Sequence, residues 1–118
     1  MAIAADLAKK HCVSCETGAT PLSVEQANGM LTALPHWKLT TEGNRLRREW
    51  RVLDFMTAID FFNRVAQIAE SEGHHPDLHL VEYRNVAIEL WTHAAGGLTE
   101  NDYILAAKID ELPVELKK

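Results

Sequence analysis

The stretch "DFMTAIDFFNRVAQIAESEGHHP", residues 54–76, decides how this chain folds. Phe55, Ala58, Ile59, Phe62, Val65, Ala66 and Ala69 recur at spacings of three and four. That period predicts an amphipathic helix with one apolar stripe. Asp54 stands where an N-cap is needed, the helix ends near Gly73, and Pro76 prevents it from resuming. Two strand-forming runs follow, "LHLVEY" (78–83) and "VAIELWT" (86–92), separated by Arg84 and Asn85. Their composition and the polar pair between them predict a β-hairpin.

Upstream of the long helix, "PLSVEQANGML" (21–31) places Gln26 three residues after Ser23, the spacing of a capping box. A short helix over Ser23–Leu31 is expected, with Val24, Ala27, Met30 and Leu31 on one face. "HWKLTTEGNRLRREWRV" (36–52) reads as two strands around a turn at Glu42-Gly43-Asn44, with Leu46, Trp50 and Val52 in period two. Downstream, Thr99 caps a last helix carrying Ile104, Leu105, Lys108 and Ile109, which stops at Pro113. The element order is α-β-β-α-β-β-α. The expected fold is α+β, a four-stranded antiparallel sheet with three helices packed on one face. Residues 22–118 form the single domain, preceded by a polar N-terminal arm over 1–21.

A chain of 118 residues that is 47% hydrophobic can bury one core without disulfides. The net charge of -5 argues against nucleic acid as a partner, because affinity for phosphate backbones needs clustered positive charge. The one basic run, "RLRREWR", is interrupted by Glu49 and reads as a solvated strand face. No apolar stretch is long enough to span a bilayer, and the first residues lack the order of a secretory signal, so a cytoplasmic location is expected. Cys12 and Cys15 are then free thiols. "HCVSC" resembles half of a zinc site, but no second Cys/His pair has ligand spacing.

Histidines concentrate in "ESEGHHPDLHLVEY" (70–83) and "WTHAAGG" (91–97). With a hairpin turn near Arg84-Asn85, positions equally far from it are neighbours, which sets His75–Leu78 beside Trp91–His93. A small polar pocket at that sheet end is the consequence. His79 shares a face with Val81 and Tyr83, away from the turn carrying His74 and His75. Three readings remain open on spacing alone. His74, His75 and His93 are candidate metal ligands; His74 and His75 satisfy the carbonyl end of the long helix; or the cluster performs acid–base chemistry near neutral pH.

Glu70, three spacers, His74-His75-Pro76, six spacers, Tyr83, nine spacers, His93, eight spacers and Asp102 together resemble the signature of the pterin-4a-carbinolamine dehydratases. Trp37, in "LPHWKL", is similar to that family's tryptophan near the start of its first strand. The resemblance extends over about residues 22–112. It implies dehydration of 4a-hydroxytetrahydrobiopterin to quinonoid dihydropterin and water, in tetrahydrobiopterin recycling for aromatic amino-acid hydroxylases. It also implies general acid–base catalysis with no metal and no cofactor.

By position, the resemblance makes His74 and His93 the acid–base pair, while His75, counted with them as catalytic, chiefly binds the pterin. Gly73, His74, His75, Trp91, Thr92, His93 and Ala94 line the substrate site, with Trp37 stacking on the pterin. Glu70 fixes a histidine tautomer. Asp102 supports the site and, three residues after Thr99, caps the first turn of the last helix. Phe55, Phe61 and Phe62 are packing residues. A homotetramer built as a dimer of dimers is the implied assembly. Animal members of the family also act as dimerisation cofactors for a homeodomain transcription factor, so a protein-binding regulatory role is the alternative.

Overall fold

A computed structural model describes residues 4–13 and 20–117. In chain order the elements are α1 (Ala4–Lys9), α2 (Val24–Leu31), β1 (Lys38–Leu39), β2 (Leu46–Arg51), α3 (Phe55–Glu72), β3 (Asp77–Val81), β4 (Asn85–Leu90) and α4 (Glu100–Asp110). A 3-10 turn over His93–Ala95 joins β4 to α4. The strands form one antiparallel sheet in the order β1-β2-β4-β3, so the two hairpins are joined through β2 and β4. The α+β architecture is the expected one, with a fourth helix, α1, added.

Alternation along the central strands sorts the sheet into two faces. Leu46 and Trp50 of β2, with Val86, Ile88 and Leu90 of β4, are buried in one core with Phe61 and Val65 of α3 and Ile104 and Leu105 of α4. Trp50 is the centre of an aromatic cluster, edge-on to Trp37 at 5.9 Å and to Phe61 at 5.1 Å between ring centroids. On the other face Arg45 bridges Asp77 and Glu89, and Arg47 bridges Glu89 and Glu49. The basic run is therefore paired with carboxylates along a polar sheet face. Arg48 turns the other way, onto Trp50 and Asp110.

The helix boundaries follow their caps. Ser23 Oγ accepts from the Gln26 N–H at 3.1 Å while the Ser23 N–H donates to Gln26 Oε1 at 2.9 Å. Asp54 accepts from the Thr57 N–H at 2.8 Å and starts α3. The buried face of α3 is rotated from the expected stripe: Ala58, Phe61, Val65 and Ala69 face inward, whereas Phe55 is 48% exposed and Ala66 is exposed. Phe61 is drawn inward by its contact with Trp50, and Phe55 lies in the first turn, beyond the sheet's cover. Val24 of α2 is likewise exposed.

The second hairpin turns earlier than its composition suggests. Glu82 and Tyr83 both adopt positive φ, at 52° and 58°, so β3 ends at Val81 and pairs with Asn85. Leu78 consequently lies opposite Ile88 rather than Trp91. Asp77 pairs with Glu89, which still leaves the turn carrying His74 and His75 at the end of the sheet where Trp91 leaves β4.

The N-terminal arm is the largest departure. Residues Ala4–Lys9 form α1, in which Leu7 is fully buried and Ala8 nearly so, packed against α4. The Lys108 ammonium donates to the Ala8 carbonyl at 2.7 Å. Six residues cannot hold a helix alone, so α1 exists because docking buries Leu7. Replacing Leu7 with Ala is expected to lower unfolding free energy by about 2–5 kcal/mol in urea with unchanged m. A loss below about 0.5 kcal/mol, the scale of an exposed surface change, contradicts this docking.

Candidate active site

The end of α3 throws the first histidine toward α4. Gly73 sits at φ 65°, the left-handed conformation glycine adopts without a Cβ penalty. The His74 N–H donates to the Ala69 carbonyl at 3.2 Å and the Gly73 N–H to the Glu70 carbonyl at 3.3 Å. This pair of bonds is a Schellman ending. It directs His74 across to α4, where its Nε2 lies 2.6 Å from Asp102 Oδ1. The His74 side chain is 12% exposed and that of Asp102 is fully buried.

Asp102 is held by more than the histidine. Its Oδ2 accepts from the Thr92 hydroxyl at 2.9 Å and from the Thr99 N–H at 3.0 Å. The Thr99 contact is half of a capping box that opens α4. One carboxylate thus caps the helix and grips His74. A carboxylate can only accept, so the nitrogen facing Oδ1 carries the hydrogen: His74 donates through Nε2–H, leaving Nδ1 without one.

His75 points outward instead, its Nε2 2.6 Å from Glu70 Oε1 on the last turns of α3. Glu70, expected to meet a histidine, thus meets His75. His93 comes from the loop after β4, closed where the Thr92 N–H donates to the Gly97 carbonyl at 2.8 Å. Gly96 takes φ 69°, and a Cβ on Gly97 would sit 3.0 Å from Pro21 Cβ, so two glycines fit this tight turn. The exposed His93 ring lies on Trp91, 3.9 Å between centroids. The Arg45 guanidinium covers Trp91 at 4.5 Å.

The three histidines line one cleft of about 260 Å³, bounded also by Gly73, Trp91, Thr92, Ala94, Asn101 and Val13. All the predicted lining residues meet there except Trp37. That tryptophan is buried in the core, its indole N–H donating to Asp110 Oδ1 at 2.8 Å. His79 lies along the polar sheet face, opposite Ala87. A larger depression beside Asp54 and Pro113 contains no histidine. Sequence reading missed Arg45, Asn101 and Val13. Asn101 adjoins Asp102 in the first turn of α4, the one positional hint available; nothing in the local pattern around Val13 marks it.

The neighbourhood of Cys12 is electrostatically specific. Burial, followed by the carboxylates of Glu72 and Asp102, pushes its thiol up to about 12. At neutral pH it is a protonated thiol, which does not suit a nucleophile. Cys15 lies outside the described residues. Burial works to raise Glu72, but the Cys12 N–H, His11 and Lys108 outweigh it and hold the carboxyl below its ordinary value. Its depressed value means that Glu72 stabilises the fold at neutral pH, a contribution lost as pH falls through that value. Among the described residues, no three His, Cys, Asp or Glu side chains converge to hold a metal ion.

Comparison with known proteins follows this geometry. Residues 20–112 match the family described as pterin 4 alpha carbinolamine dehydratase. The chain is 56% identical over 114 residues to pterin-4-alpha-carbinolamine dehydratase 2, mitochondrial, of Arabidopsis thaliana, covering 94% of this chain and 61% of that protein. A relative from Chlorobaculum tepidum is 45% identical, with 90% of this chain and 96% of the relative covered. Among solved structures, a transcriptional coactivator/pterin dehydratase from Brucella melitensis superposes with a TM-score of 0.72 at 32% identity, over 77% of this chain and 96% of that one. With the family match spanning most of its length and the signature histidines gathered at one cleft, the chain belongs to the pterin-4-alpha-carbinolamine dehydratase family.

Proposed function

We propose that this chain is a hydro-lyase that dehydrates 4a-hydroxytetrahydrobiopterin to quinonoid dihydropterin and water. The single observation that carries the chemistry is the buried Asp102–His74 pair opening onto the cleft that also holds His93 and His75. Dehydration requires the C4a–O bond to break with a proton delivered to the departing oxygen. The N5–H proton leaves as the C4a=N5 bond forms. One proton enters and one departs, so two groups that titrate near neutrality suffice. His74, with Nε2 committed to Asp102, exchanges its proton through Nδ1, and His93, exposed on Trp91, is the complementary group. His75, anchored by Glu70, binds the pterin. The chain's own residues perform this transfer without a cofactor or metal in the proposed scheme.

The same reading places the protein in tetrahydrobiopterin recycling, acting on the hydroxylated pterin released by an aromatic amino-acid hydroxylase. A cytoplasmic location goes with it. No helix among the described residues is long and apolar enough to cross a membrane. A homotetramer is the proposed assembly. The edge strand β3 carries exposed Leu78 and Val81, the kind of strand that association protects. A coactivator-like role in binding another protein is the second reading, favoured by the name of the Brucella melitensis structure.

Replacing His74 or His93 with Ala is expected to lower kcat by about ten-fold to ten-thousand-fold with smaller changes in KM. His75→Ala is expected chiefly to raise KM, and His79→Ala to leave both nearly unchanged. Stopped-flow loss of synthetic 4a-hydroxytetrahydrobiopterin reads all four. Wild-type turnover in the His74→Ala/His93→Ala double mutant, folded by circular dichroism, rules out this assignment, whereas wild type with no turnover above the spontaneous rate leaves the regulatory reading. For assembly, sedimentation at micromolar concentration is expected to give a tetramer, and a monomer contradicts it.

A further inference from the structure

The chain ahead of the matched family region supplies part of the cleft wall. Residues 10–13 run from α1 across the ends of α3 and α4, and they are fastened at every step. The Lys10 ammonium meets Glu100 at 3.1 Å. His11 Nδ1 lies 2.9 Å from Glu72 Oε2, while the Cys12 N–H donates to Glu72 Oε1 at 2.6 Å. The Cys12 thiol donates to the Asn101 carbonyl at 3.6 Å. The Asn101 side chain then closes the series: it accepts from the Val13 N–H at 3.0 Å and donates to the Val13 carbonyl at 2.6 Å.

That last pair is unusual in what it holds. Asn101 is only 4% exposed, yet its amide grips the backbone of a residue that is 72% exposed. A buried amide paired on both sides fixes a backbone as a strand partner does. What it fixes is an apolar, β-branched side chain at the rim of a cleft lined by histidines. A valine held rigid in water has nothing to gain until a ligand covers it, and its stiff χ1 costs little entropy when one does.

We infer that Val13 is a substrate-contacting residue of the dehydratase site, packing on the part of the bound pterin away from C4a, and that Asn101 is the positioning residue that holds it there. This rests on the dehydratase reading of the cleft. The strap precedes residues 20–112, so it adds to the family's matched region a wall contributed by the N-terminal segment. Docking of α1 through Leu7 sets where the strap begins.

The test uses the full chain and steady-state dehydration of 4a-hydroxytetrahydrobiopterin by wild type, Val13→Gly, Asn101→Ala and the double mutant. Val13→Gly is expected to raise KM by about five-fold to ten-fold, the scale of uncovering much of a valine side chain, with kcat within about two-fold. Asn101→Ala is expected to show the same split, and the double mutant to be no worse than the weaker single, because both act through one contact. An unchanged KM in Val13→Gly, or a fall in kcat alone, overturns the inference; that exposed position decides it even if Asn101→Ala does not fold. Wild type with no turnover above the spontaneous rate sinks the dehydratase reading separately. Binding of dihydrobiopterin followed by tryptophan fluorescence then decides the strap, a five-fold weaker Kd in Val13→Gly supporting it and an equal Kd overturning it.

Discussion

The buried carboxylate of Asp102 is the constraint on which the site depends. A charge taken out of water is costly unless hydrogen bonds replace its hydration. Here three donors do so from three parts of the chain: His74 after α3, Thr92 after β4, and the Thr99 backbone at the start of α4. The demand of one carboxylate therefore ties the long helix, the last strand and the last helix together at one point. The same contacts select a histidine tautomer, so in the proposed scheme the stability requirement and the catalytic requirement are met by one set of bonds. Removing the carboxylate would unsettle the cap, the loop and His74 together.

The remaining elements serve this junction at a distance. The aromatic cluster around Trp50 fixes α3 against the sheet, and the Schellman ending at Gly73 converts that placement into the direction of His74. Across the cleft, Arg45 reaches from its ion pairs with Asp77 and Glu89 to cover Trp91, whose ring carries His93. One histidine is thus held by a buried anion and the other against a tilted aromatic ring. Different surroundings for two like groups suit the proposed dehydration, in which one proton must be given and another taken.

Most of the fold is legible in the sequence because strong local signals agree with the tertiary demand. Ser23 with Gln26, Asp54 and Thr99 mark helix starts that the structure uses. The failures come where a signal is weak or a tertiary contact overrides it. Helix α1 is too short to show a period, and only docking of Leu7 reveals it. The hairpin turn depends on positive φ at Glu82 and Tyr83, residues whose identity does not ask for it. Phe61 rather than Phe55 joins the core face because it meets Trp50, a contact no local pattern encodes. The histidines and Asp102 are readable through their spacing, whereas Trp37, at a matching position, proves to be core. Val13 and Asn101 are joined across 88 positions, and only the folded chain brings them together.

The central claim, that Asp102 fixes His74 with its hydrogen on Nε2, is tested most directly by the ring nitrogen shifts of His74 in isotope-labelled protein near neutral pH, before and after Asp102→Asn. The expected result for wild type is a neutral ring protonated at Nε2, with Nδ1 unprotonated. In the asparagine variant an amide can donate where a carboxylate could only accept, so the proton is expected to move toward Nδ1 as turnover falls. A wild-type His74 protonated at Nδ1 alone, or a tautomer indifferent to Asp102→Asn, contradicts the claim.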